Sequence, residues 1–150
     1  MRCVRCSCLT RLKYSDFLVQ LSLRIFVLGV FVHEYGHLIG LRLLGVPGEI
    51  RSTMLNAVYP SMSLYGIDRL IFYGAGGAFQ ALVSLILIFR CKDFEIKLAN
   101  IFVATHGLIY GAIEATAHRS WWGLGSMLGS VAGVVVVLYL IVVYVDQVEL

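Results

Sequence analysis

Charge is what this sequence has least of. Only 14% of its 150 residues are Asp, Glu, Lys or Arg, whereas 59% are hydrophobic, and the mean hydropathy is +0.86. A soluble domain of ordinary composition carries about 25% charged residues, so this chain reads as a membrane protein. The net charge of +3 is scattered: Arg2, Arg5, Arg11 and Lys13 lie near the start, and Arg90, Lys92 and Lys97 lie further on. With no basic stripe or patch, a nucleic-acid surface is excluded. No small-residue cleavage pattern follows the first apolar run, which is also too long and too deep in the chain for a signal peptide. It is read as a permanent span. No internal repeat or low-complexity segment is present. A second CxxC is also missing, so the four cysteines Cys3, Cys6, Cys8 and Cys91 are read as reduced thiols or a palmitoylation site. A metal site completed by Cys91 is the sharper alternative.

Apolar runs, by contrast, are plentiful. A bilayer core of about 30 Å needs roughly 20 helical residues, and four stretches suffice, near residues 17–44, 68–89, 96–117 and 123–145. The expected fold is therefore an all-α membrane protein, a bundle of about four transmembrane helices, multi-pass in the cell membrane. Residues 1–15 form a basic, cysteine-bearing tail and 16–150 a single transmembrane domain. Loop 45–67, "GVPGEIRSTMLNAVYPSMSLYG", carries Gly and Pro punctuation around extended candidates at 49–54 and 57–59, which predicts a short β-hairpin or extended loop beside helix one. Counting Lys and Arg favours placing the tail and the 90–97 loop on the cytoplasmic side. Gly125, Gly129 and Gly133 form a packing stripe on helix four.

Inside helix one stands "FVHEYGHLIG", with His33, Glu34 and His37. Residues four apart share a helix face about 6 Å along the axis, so both imidazoles can reach one ion, while Glu34 lies on the adjoining face. This H-E-x-x-H spacing suits two zinc ligands and a general base that takes a proton from the attacking water. A shuffled chain of this composition would contain the pattern on the order of 0.3% of the time. An ionisable residue at such depth costs roughly 3 kcal/mol unless paired, hydrated or metal-bound, and three of them within five residues call for a compensating partner.

Such a site needs a third protein ligand. Helix three offers His106, Tyr110, Glu114 and His118 at four-residue intervals. Matching depth from the charged flanks of helices one and three, an offset of about 80 residues, brings Glu114 to the level of the histidine pair. His118 falls at the edge of the window and His106 roughly two turns short. Glu114 is thus the expected third ligand and His118 the alternative. Helix two, counted from the opposite rim, brings Gly76, Gly77 and Gln80 into the same layer. Gln80, His106, Gly76 and Gly77 are candidates for supporting or substrate-binding roles.

"FVHEYGHLIGLRLLG" in a membrane helix, a short extended loop, and then "GAGGAFQALVSLIL" together resemble the site-2 protease family of intramembrane zinc metalloproteases. In that family the second core helix carries a G-P-x-x-N-type segment, whose place is taken here by Gly76, Gly77 and Gln80. The resemblance, over roughly residues 20–118, implies three core helices around a zinc ion, with Glu34 as catalytic base and His33 and His37 as ligands. It also implies cleavage of transmembrane protein or peptide substrates within the lipid, and a hairpin near the substrate path. Two departures stand out. The family's L-D-G-type third-ligand motif is absent, since the only aspartates are Asp16, Asp68, Asp93 and Asp146; and positive-inside counting puts the 33–37 end of helix one opposite the cytosolic side expected of the family. A non-proteolytic metal-binding scaffold and a metal carrier are the competing functions, and Glu34 discriminates, because only hydrolysis requires a general base.

Overall fold

The computed structural model describes residues 14–51, 57–117 and 121–149. Four helices are long and apolar enough to cross a membrane, and a short two-stranded sheet follows the first. Helix one has three consecutive parts: α1 (Tyr14–Phe26), a π-helical stretch (Val27–Val32) and α2 (His33–Leu43). The remaining elements are β1 (Gly48–Arg51), β2 (Ala57–Pro60), α3 (Gly66–Arg90), α4 (Phe94–Thr116) and α5 (Trp122–Glu149). The expected helix boundaries hold to within a few residues, and the hairpin forms where the loop's extended candidates stand. Met54, at the end of the first candidate, lies outside the described residues, as do Cys3, Cys6, Cys8 and His118.

The π-helical stretch was not anticipated, and burial explains it. Phe17, Leu21 and Leu28 pack in one apolar cluster, and Arg24 reaches across to Asn100 of α4, so the inward face advances in steps of four and three. From Leu28 to His33 the step is five. One wider turn, in which the His33 N–H reaches back to the Leu28 carbonyl five residues earlier, absorbs the additional residue and keeps both on the inner face.

Helix one ends at Gly45, whose φ of +67° is the left-handed conformation of a Schellman cap. There the Gly45 N–H donates to Arg42 O at 3.1 Å and the Val46 N–H to Leu41 O at 3.0 Å. The chain turns directly into β1, which pairs antiparallel with β2 in the register Glu49 to Tyr59 and Arg51 to Ala57. Val58 enters a small core with Leu41 and Phe72, fastening the hairpin against α2 and α3.

Helix α4 is central, packing against α3, α5 and α1, while α2 lies on α3. Lipid is as apolar as leucine, so close van der Waals approach must join these helices. Gly77 of α3 faces Gly107 and Gly111 of α4, and a Cβ on Gly77 would stand 2.6 Å from Gly111 Cα. The glycine stripe of α5 meets Ile113, His106 and Phe102 of α4 at Gly125, Gly129 and Gly133. Large apolar side chains such as Phe89, Val135 and Tyr139 face outward, as a lipid-facing surface requires.

Candidate metal centre

His33 and His37 begin α2, Glu114 sits near the end of α4, and Gly76 and Gln80 lie midway along α3. All three ionisable side chains are almost wholly buried, at 4%, 4% and 5% exposure. His33 Nε2 lies 3.1 Å from His37 Nε2 and 3.2 Å from Glu114 Oε2, and His37 Nε2 is 3.7 Å from the same oxygen. The structure thus brings Glu114 to the histidine pair, and the three residues form a buried group that can hold a metal ion.

The other ring nitrogens determine what the three atoms present to one another. His37 Nδ1 lies 2.8 Å from Phe72 O, and a backbone carbonyl only accepts, so Nδ1 carries the hydrogen. His33 Nδ1 lies 3.1 Å from Gln80 Oε1. The amide of Gln80 is oriented by its Nε2 donating to Val103 O at 3.0 Å, so this Nδ1 is a donor as well. In its neutral form each imidazole therefore turns a bare Nε2 lone pair inward, toward Glu114, whose ionised carboxylate only accepts. Three acceptors within 3.1 to 3.7 Å repel one another unless a cation or a shared proton lies between them. One proton serves two of them, whereas a divalent ion serves all three.

Space for an ion is made by Gly76. A Cβ there would stand 2.6 Å from His37 Nε2 and 2.7 Å from His33 Nε2, in the region that the lone pairs face. The imidazoles are walled by aromatic rings, Tyr110 with its centroid 5.3 Å from that of His33 and Phe72 at 4.9 Å from that of His37.

Glu34 lies apart from this cluster, on the wall of a cavity of about 120 Å³ that His37 and Glu114 also line, together with Val58 and Tyr59 of the hairpin. Its Oε2 accepts the Val58 N–H at 2.9 Å. The carboxylate is thereby held beside the cluster and tied to β2.

Gln80 supports the site through His33, and behind it His106 joins in, with Nδ1 3.4 Å from Gln80 Nε2 and Nε2 3.3 Å from Ser126 Oγ. His106 is stacked on Tyr110 and does not belong to the three-residue group. Gly77 serves the α3–α4 contact. Sequence reasoning missed Phe72, which contributes only its carbonyl, and Val58, which contributes only its amide; backbone groups leave no trace in side-chain identity. No family model, curated protein or solved structure matches the chain.

Proposed function

We propose that this chain is an intramembrane zinc metalloprotease of the site-2 protease type, acting on transmembrane segments of protein substrates in the cell membrane. The observation that carries the reading is the convergence of three bare acceptor atoms, two imidazole Nε2 and one carboxylate oxygen, at separations of 3.1, 3.2 and 3.7 Å. Bonds of about 2.0–2.1 Å in tetrahedral coordination separate neighbouring ligands by about 3.3 Å, so His33, His37 and Glu114 suit zinc. His33, His37 and Glu114 would hold the zinc ion, which would supply Lewis acidity toward a peptide carbonyl and a water nucleophile at neutral pH.

The chain's own groups account for the remaining tasks. Glu34 accepts the proton of the attacking water and delivers it to the leaving amine. Phe72 O and Gln80 Oε1 hold the two imidazoles in the ligating tautomer. The hairpin bounds the cavity in which an extended stretch of substrate is exposed to Glu34. Glu114 takes the part that the family's L-D-G aspartate plays, and its longer side chain spans the gap from α4.

The test is metal content and turnover measured on the same purified protein. Wild type is expected to hold one zinc per chain, His33→Ala with His37→Ala to lose it, and Glu34→Gln to keep it while losing at least a hundredfold in cleavage of a membrane-embedded peptide. Equal zinc in wild type and double variant would reject the metal assignment. Undiminished cleavage by Glu34→Gln would reject the general base, and no cleavage by the zinc-loaded wild type would favour a scaffold or carrier.

A further inference from the structure

The cavity beside the metal group does not end at the hairpin. Tyr59, Pro60, Tyr73 and Trp122 line it and also line a larger open groove of about 780 Å³, which continues past 61–65 to the start of α3. Among the residues lining that groove, Arg69 is the only one that carries a charge. Its guanidinium is half-buried and preset: Nη2 donates to Ala117 O at 3.2 Å, closing the C-terminal end of α4, and Cζ lies 5.8 Å from the Tyr73 ring centroid. Among the described residues no carboxylate is paired with it. An oriented guanidinium with donors to spare, on the wall of a groove leading to a hydrolytic centre, is chemistry suited to a carboxylate.

We infer that Arg69 is a specificity-determining residue that receives a carboxylate of the substrate chain, carried on the stretch emerging from the metal cavity toward the membrane rim. This rests on the proteolytic reading and names the substrate class for it: membrane segments with an acidic group close to the cleavage point. Spacing follows from the fold. Arg69 precedes Gly76 by two turns of α3, about 10 Å along the axis, and an extended chain advances about 3.3 Å per residue. The acidic group therefore falls about three to four residues from the scissile bond.

Binding to a chain that cannot turn over tests this directly. Full-length zinc-loaded Glu34→Gln protein in lipid nanodiscs is titrated with fluorescent single-span peptides. Each carries one Asp, moved one position at a time through the extended stretch beyond its apolar span, with Asn and Lys versions as references. Asp at one or two adjacent positions is expected to tighten binding about tenfold over Asn. Adding Arg69→Gln is expected to abolish that preference while zinc content is unchanged, and Arg69→Lys to retain part of it. With Arg69→Glu, the Lys peptide is expected to bind better than the Asp peptide, an inversion that a purely structural role in capping α4 would not produce. A peptide truncated at the best position, as free acid and as amide, tells whether a terminal carboxylate is accepted in place of the side chain. A flat Asp scan, no binding by any peptide, a preference that survives Arg69→Gln, or an effect of Arg69 that follows anionic lipid and not peptide charge would each overturn the inference. Failure of the proteolytic reading itself is seen separately, as intact peptide after incubation with zinc-loaded protein that retains Glu34.

Discussion

At the scale of single residues, Gly76 decides whether an ion fits. Any Cβ at that position stands within 2.7 Å of both Nε2 atoms, and the backbone of α3 cannot retreat without disturbing the contacts that α3 makes with α2 and α4. Gly76→Ala is therefore expected to lower zinc affinity at least a hundredfold while the protein still folds, checked by metal titration alongside helical circular dichroism. Gln80 acts one bond further out. Its Oε1 holds His33 Nδ1, and partners of this kind are typically worth 10- to 100-fold in metal affinity. Gln80→Ala should lose affinity in that range, and Gln80→Glu, which still accepts from Nδ1, should lose less. Glu114→Gln replaces a carboxylate by a neutral amide oxygen, a poorer zinc ligand, and should weaken binding more than either Gln80 change. The reverse ranking in metal titration would move Glu114 out of the ligand set.

At the scale of the element, the phase of helix one is what delivers both histidines. Each residue inserted in or removed from an α-helix rotates everything beyond it by about 100°, and the π-helical stretch placed directly before His33 absorbs one such residue in a wider turn. Deleting Val30 should turn the five-residue step from Leu28 to His33 into an ordinary four-residue α-helical one and leave both histidines facing Glu114, whereas inserting an alanine after Val32 should swing them away by about 100°. The expected outcome is zinc affinity near wild type for the deletion and near-complete loss for the insertion, each with little loss of helix content; an insertion variant that still binds zinc at wild-type affinity would show that the phase of helix one has no part in aiming the site. The same region illustrates the use of a part-buried polar pair. Arg24 Nε donates to Asn100 Oδ1 at 3.1 Å, joining α1 to α4 across apolar surroundings where an unpaired guanidinium would be costly.

At the scale of the whole molecule, the candidate metal group of His33, His37 and Glu114 joins segments far apart in sequence, α2 and α4, across the packed face of α3. Metal bound only by the folded bundle stabilises it by mass action, about 2.7 kcal/mol at a free concentration one hundred times Kd. Chelation should therefore lower the thermal midpoint in detergent, and added zinc should restore it in wild type but not in Glu114→Gln. Packing supplies the remainder through small residues. Gly77→Val would drive a branched side chain into Gly107 and Gly111 of α4, and overpacking of this kind costs about 1–3 kcal/mol or more. A lowered midpoint that zinc does not rescue would separate this effect from damage to the site.

How much was legible in the sequence follows from which groups have side chains and which positions are local. The four spans could be read because hydropathy sums over a window and needs no knowledge of neighbours, and the hairpin because Gly and Pro constrain backbone locally. The pairing of His33 with His37 was legible because helical spacing sets it. Even the level of Glu114 could be counted from the charged flanks, since depth in a membrane is nearly one-dimensional. Tertiary structure alone decided the rest. Rotation about each helix axis is set by packing against neighbours, so it took the bundle to aim Glu114 Oε2 at the two imidazoles and to turn Gln80 toward His33. The five-residue step from Leu28 to His33 lay in the sequence, but only the packing of α1 against α4 makes it a π-helical turn. The Phe72 carbonyl and the Val58 amide belong to the backbone, which every residue carries, and only the folded chain could select them.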